Sequence, residues 1–244
     1  MHLGHSNPKH EYYMDGTILE MTTEEKDLGV LVDDKLGFSK HIKGIVNKAN
    51  RMLGLIRIGF ACLNKEMFMN LYPVLIRPLL EYCVQVWSPH KQGDIDLLEA
   101  VQRRATRLVP ELKNLSYEKR LSALGLTTLE ERRTRGDMIE TYKLITNKED
   151  INPNKFFQMS SERGDPDLAR GHKIFVKGGS SERRKHVFSK RVVEDWNNLE
   201  REEVEAETIA TFKARFDIWE ADRKKTRESR IYGYLNSGST GRYK

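Results

Sequence analysis

From Ser39 onward the apolar residues Ile42, Ile45, Val46, Ala49, Leu53 and Ile56 recur at the three-and-four spacing of a helix, with Lys40, Lys43, Lys48 and Arg51 broadly opposite. Such a stripe commits one face of a helix to a core and leaves the other in water. The same period returns in Leu98, Val101, Ala105 and Leu108, with Arg103, Arg104 and Arg107 outward. It returns again in Phe188, Val192, Trp196 and Leu199, and in Ile209, Phe212, Phe216 and Trp219. A further helix is expected from Lys65 to Tyr72, and Thr127 with Glu130 fits a capping box for one reaching Ile145. Pro73 and Pro78 interrupt or restart the chain. The chain is therefore mainly α.

A small β piece precedes the helices. Asp15-Gly16 sits between Glu11-Tyr12-Tyr13-Met14 and Thr17-Ile18-Leu19-Glu20-Met21 and signals a type I′ hairpin, whose two turn positions need positive φ. Leu28 to Val32 reads as another strand, with Gly29 marking a bulge or a close backbone approach. So few strands need other elements to cover them. Residues 147–185 read as loop with a short strand at Lys173–Lys177, and the basic, then Gly- and Ser-rich stretch after Glu220 reads as disordered. The expected divisions are 1–36, 37–115, 116–222 and 223–244.

Charge is unevenly spread. Residues 1–34 carry 2 Lys/Arg against 8 Asp/Glu, whereas residues 35–120 carry 15 against 7. That basic block suits a polyanion, although surplus Lys and Arg also serve simply to solvate helices. No stretch approaches the roughly 20 apolar residues needed to span a bilayer, so no membrane is expected as a partner. Two cysteines, Cys62 and Cys83, suit a reducing, intracellular compartment and are expected as buried, inert thiols.

Two acidic patterns invite a catalytic reading. Tyr13-Met14-Asp15-Gly16 resembles a polymerase turn but has Gly where the second carboxylate belongs, and Asp33-Asp34 lacks the preceding Tyr. Two-metal chemistry needs carboxylates that jointly bridge ions about 3.5–4 Å apart, and neighbours on a strand point to opposite faces. Local turns are the expected role of both, with Asp33 and Asp34 capping the next segment. His2 and His5 lie in a frayed terminus, neither cysteine has a Cys-x-x-Cys neighbour, and Gly178-Gly179-Ser180 lacks the Lys-Ser/Thr of a phosphate loop. Trp87, Trp196 and Trp219 are expected in packing rather than base stacking. No catalytic residue and no metal site is assigned.

One ordered series spans most of the chain. It starts with Lys26-Asp27-Leu28-Gly29-Val30-Leu31-Val32-Asp33-Asp34 and Phe38-Ser39-Lys40-His41-Ile42. It continues through Tyr72, Arg77-Pro78, Leu80-Glu81-Tyr82, Val86-Trp87-Ser88-Pro89, Leu97-Leu98-Glu99 and Val101-Gln102-Arg103-Arg104-Ala105-Thr106. It resumes at Leu129-Glu130, Arg132-Arg133, Arg135-Gly136-Asp137-Met138, Arg170-Gly171-His172, Phe188-Ser189, Arg191-Val192-Val193 and Asp195-Trp196-Asn197. This series resembles the part that follows the catalytic palm in jockey-like reverse transcriptases of non-LTR, LINE-type retrotransposons. The resemblance implies an RNA-directed DNA polymerase whose Tyr-x-Asp-Asp box would lie upstream of Met1. It also implies that magnesium belongs only to the complete parent enzyme. By position Leu28, Gly29 and Val30 correspond to the primer grip, and Lys40, Lys43, Lys48 and Arg51 to the polar face of the first thumb helix. Arg103, Arg104 and Arg107 make a second basic face.

The expected activity is non-specific binding of an RNA or DNA duplex or single strand, without nucleotide transfer. Cations on a rigid helix neutralise phosphates and release counterions whatever the base sequence. The rival is a helical structural or protein-interaction remnant, its apolar face meeting the palm and fingers or a second copy.

Overall fold

The structure, a computed structural model, describes residues 1–4, 7–160, 172–175 and 185–237. Two compact units, Met1–Arg133 and Thr134–Lys244, meet inside one helix, so the expected boundaries at 36 and 115 both fall within the first unit.

The first unit opens with two hairpins. β1 (Tyr13–Met14) pairs antiparallel with β2 (Thr17–Ile18) around Asp15 and Gly16, whose φ of 50° and 75° are those of the expected turn. β3 (Glu24–Asp27) pairs with β4 (Val30–Asp33) around Leu28 and Gly29, at φ 44° and 89°. This corrects the expected strand from Leu28: Leu28 and Gly29 are the turn, and the strand begins at Val30. Leucine is costly at positive φ, and the charged run Glu24–Asp27 has low strand propensity, so neither advertised a hairpin. Asp33 does cap the next segment, its Oδ1 accepting the N–H of Lys35 at 3.0 Å and of Gly37 at 2.6 Å.

Helices follow: α1 (Ser39–Gly59), α2 (Lys65–Leu71), a π turn over Tyr72–Ile76, α3 (Arg77–Glu81), α4 (Val84–Trp87), α5 (Gln92–Thr106), α6 (Tyr117–Leu124) and the start of α7 (Leu129–Ile145). The π turn carries Pro73 and is followed at once by Pro78, two residues that cannot donate a backbone bond and so loosen the helical ladder. The α1 stripe is buried as its period requires, Ile45 only partly. Trp87 is wholly buried, donates from Nε1 to the Tyr82 carbonyl at 2.7 Å, and meets the His41 ring edge-on at 5.3 Å. Cys62 is exposed rather than buried, lying in the turn before α2 instead of on an apolar stripe.

A polar knot sits inside this apolar unit. Gln102 is 0% exposed. Its Oε1 accepts from Tyr72 Oη at 2.6 Å, and its Nε2 donates to Tyr117 Oη and the Thr127 carbonyl, each at 2.9 Å. Tyr117 also donates to Glu99, whose other oxygen accepts the N–H of Leu129 at 3.0 Å in the first turn of α7. Burial raises both tyrosine pKa values, so neither hydroxyl ionises in ordinary buffers. The capping box of α7 is one residue later than expected: Thr128 and Glu131 exchange bonds of 3.2 Å, while Thr127 gives its carbonyl to Gln102. Arg132 forks onto Glu81, 51 residues back.

The second unit holds the rest of α7, the isolated bridge Met159–Ile174, α8 (Phe188–Arg191), α9 (Val193–Asn197), α10 (Arg201–Val204) and α11 (Ile209–Ser237). Tyr142 stacks on Phe212 at 4.3 Å, and Trp196, Phe216 and Trp219 extend the aromatic core. Asp137, nearly buried, takes both arms of Arg191 at 2.7 and 2.9 Å. Asn197 grips Ile174 with both ends of its amide, at 2.9 Å each, while Trp196 Nε1 donates to the His172 carbonyl at 2.8 Å. The expected strand at Lys173–Lys177 lies partly outside the described residues, as do His5, Arg170-Gly171 and Gly178-Gly179-Ser180. The expected disorder after Glu220 is corrected as far as Ser237, which α11 reaches. Ala221 and the Arg, Lys and Glu residues between 223 and 230 favour a helix there, and Arg223 lies over Trp219 while pairing with Asp195 at 2.5 Å. No helix among the described residues is long and apolar enough to cross a membrane.

Candidate nucleic-acid interface

At 100° per residue, Lys40, Lys43, Gly44, Asn47, Lys48, Arg51, Gly54, Leu55 and Ile58 share the face of α1 opposite its buried stripe. Lys43, Lys48 and Arg51 are exposed and have no ion-pair partner among the described residues. Lys40 is different. It pairs with Glu24 of β3 at 2.6 Å, and that contact holds its ammonium above the ordinary lysine value. A Cβ added to Gly44 or Gly54 would meet nothing within 4 Å, so neither glycine is there to relieve crowding. Leu55 and Ile58 finish the face with 63% and 80% of their surface exposed.

The β3–β4 hairpin is fixed to the base of this helix. Leu31 N–H donates to His41 Nδ1 at 3.2 Å, and Tyr82 Oη donates to the Leu28 carbonyl at 3.0 Å. Leu28 projects from the tip, 82% exposed, and the Tyr82 ring lies 3.5 Å from where a Gly29 Cβ would stand. Val30 is 3% exposed and belongs to the core. Of Leu28, Gly29 and Val30, then, the first two are open to solvent, whereas Val30 anchors the hairpin.

The three arginines of α5 do not form one face. Arg104 reaches across to α1, donating to Asn50 Oδ1 at 3.2 and 2.9 Å beside Arg51. Arg103 turns the other way, its guanidinium 4.9 Å from the centre of the Tyr117 ring, and Arg107 follows one turn later, exposed. Arg104 thus extends the α1 surface, and Arg103 with Arg107 forms a separate cationic edge toward α6. Sequence reasoning missed Asn50, Gly44, Gly54, His41 and Tyr82. The two glycines fall on the lysine face of the helical wheel and could have been found there; the others depend on tertiary pairing. Among the described residues no three His, Cys, Asp or Glu side chains cluster as metal ligands would.

His41 makes the mount sensitive to acid. Its Nδ1 must be unprotonated to accept from Leu31, and burial, followed by the nearby charge of Lys26, lowers its pKa below the ordinary 6.5. The unfolded chain therefore takes the proton first. His41's contribution to stability is complete above about pH 6.5, falls as the pH drops toward the folded-state value, and levels off below it. Urea unfolding at pH 7 and pH 5 should show a smaller loss of stability for His41→Asn than for the parent; equal losses would remove His41 from the mount.

No protein-family model matches the chain, and no solved structure does. An uncharacterized protein of Caenorhabditis elegans is 31% identical over 126 residues, covering 50% of this chain and 63% of that protein. A probable RNA-directed DNA polymerase from the transposon BS of Drosophila melanogaster is 25% identical over 104 residues, covering 40% of this chain and 11% of the polymerase. The match thus spans less than two thirds of either relative. The chain bears a weak, partial similarity to a transposon RNA-directed DNA polymerase.

Proposed function

We propose that this chain is the post-palm part of a LINE-type, jockey-like reverse transcriptase and binds nucleic acid without base preference through the outer face of α1, extended by Arg104 and the β3–β4 tip. It transfers no nucleotide by itself, and magnesium is held only by the complete parent polymerase. The observation that carries this reading is the α1 face: three exposed cations with no ion-pair partner among the described residues, interleaved with two glycines at which an added Cβ would meet nothing within 4 Å. A glycine inside a helix costs roughly 1 kcal/mol relative to alanine, so the exposed Gly44 and the half-buried Gly54 are a standing cost to the fold. Removing the side chain lets a phosphate backbone approach the helix closely, which offsets that cost when a strand is bound. Neighbouring lysines and Arg51 then neutralise phosphates, and Leu28 and Gly29 reach past the end of α1 toward the strand terminus.

Gly44→Ala with Gly54→Ala tests this directly. The double variant is expected to unfold at higher urea, by about 1–2 kcal/mol in total, while binding a duplex oligonucleotide several-fold more weakly. Greater stability with unchanged affinity would mean that no strand approaches these positions.

One observation favours a second reading, a protein-interaction surface. The first hairpin exposes Tyr12, Tyr13, Met14, Ile18, Leu19 and Met21, more apolar surface than a free hairpin ordinarily offers water. Light scattering separates the two: concentration-dependent association that Tyr13→Ser and Ile18→Ser abolish would assign that hairpin to self-assembly.

A further inference from the structure

We propose that the β3–β4 hairpin carries a built-in competitor for phosphate: Glu24 holds Lys40 at the N-terminal end of the α1 face, and a bound strand must displace Glu24 to engage that lysine. The inference rests on the nucleic-acid reading of α1 and adds an autoinhibitory contact that sets how many of its cations a strand can use.

Lys40 lies in the first turn of α1 on its outward face, and its Nζ stands 2.6 Å from Glu24 Oε2 on β3. The two residues are 16 apart in sequence, so the pair exists only because the fold brings hairpin and helix together. That placement is fixed at three points. Leu31 N–H donates to His41 Nδ1, next to Lys40 in the chain, Tyr82 Oη donates to the Leu28 carbonyl, and Val30 is buried. The pair itself is open to solvent: 67% of the Lys40 side chain and 42% of the Glu24 side chain are exposed. A phosphate can therefore reach the ammonium and exchange with the carboxylate without moving the backbone.

The surrounding charge favours the closed contact. Residues 24–34 hold Glu24, Glu25, Asp27, Asp33 and Asp34 against Lys26 alone. Glu24 stands directly across the ladder from Asp33, and like charges so opposed destabilise a hairpin. Asp33 turns its carboxylate to the N–H groups of Lys35 and Gly37, at 3.0 and 2.6 Å. Glu24 takes Lys40 instead, whose ammonium offsets the repulsion. A strand that engages Lys40 returns Glu24 to water beside Asp33 and brings its own negative charge toward both. Lys43, Lys48 and Arg51 have no ion-pair partner among the described residues, so a phosphate meets them without such an exchange. An exposed pair is weak, so the competition is modest rather than absolute.

The test measures the affinity of the full chain for a duplex oligonucleotide across a sodium chloride series. Glu24→Gln should bind about two- to fivefold more tightly than the parent at the lowest salt, with a logarithmic slope steeper by about one. Glu25→Gln is the control, because it removes the same charge from the opposite face of β3, and it should leave the slope unchanged. Lys40→Ala should be nearly silent in the parent but weaken binding about two- to fivefold in the Glu24→Gln background, a non-additivity that net charge alone does not produce. Equal tightening by the two glutamine variants, or an equal effect of Lys40→Ala in both backgrounds, would overturn the competitor. Either result in a parent that binds duplex with a steep slope defeats the competitor alone and leaves the α1 reading standing. Absence of duplex binding by both the parent and Glu24→Gln defeats the two together.

Discussion

Replacing Gln102 with leucine is expected to destabilise the first unit by about 3 kcal/mol, although the two side chains fill similar volumes. Gln102 is fully buried and its amide serves Tyr72, Tyr117 and the Thr127 carbonyl. Leucine leaves no cavity but supplies no partner, so the Tyr72 hydroxyl, itself buried, loses its acceptor away from water, and Tyr117 and the Thr127 carbonyl lose the amide. Each buried orphan costs about 1–3 kcal/mol, which sets the total. The damage should spread to the start of α7, because Glu99 holds the Leu129 amide from within the same network. Asn47→Ala, on the exposed face of α1, provides the contrast at under about 0.5 kcal/mol. Urea unfolding of both variants checks this. A Gln102→Leu protein as stable as the parent would mean that the knot is not what specifies the packing of α5 against α7.

The same knot shows where the sequence stopped being legible. Helix positions were readable because burial of one face imposes a period: the α1 stripe, Leu98-Val101-Ala105 and Phe212-Phe216 all lie in cores as expected. The Asp15-Gly16 turn was readable because its chemistry is local. Gln102 and Glu99 were not, since a polar residue on a wheel signals water unless its partners are known, and Tyr72, Tyr117 and Thr127 lie 15 to 30 residues away. The ion pairs Glu81–Arg132 and Asp137–Arg191 hide for the same reason, their partners being 51 and 54 residues apart. Many residues of the resemblance series prove to be such clamps: Glu81, Tyr82, Gln102, Asp137, Arg191, Trp196 and Asn197 each hold a distant piece of backbone or an opposite charge. Motifs of this kind describe how the chain is tied together more than where it acts. For the interface, the lysines of α1 were visible from periodicity. The tip at Leu28-Gly29 was mistaken for strand because a leucine occupies a conformation it rarely adopts.

Loss of binding, not loss of fold, is the expected result of changing Lys40, Lys43, Lys48 and Arg51 together to alanine. All four side chains are exposed, and only Lys40 has an ion-pair partner among the described residues, a surface contact of small energetic worth. Unfolding should therefore shift by less than about 1 kcal/mol, while duplex affinity falls by about two orders of magnitude at low salt. Lys40 should contribute least, because Glu24 already satisfies part of its charge. The most direct measurement is the affinity for a duplex oligonucleotide as sodium chloride is raised from 50 to 200 mM, for the parent and for the quadruple variant. Duplex gripping by α1 predicts a logarithmic slope of about −3 or steeper for the parent, made shallower by about 3 in the variant. A parent slope near zero, or an unchanged slope in a folded variant, would contradict it.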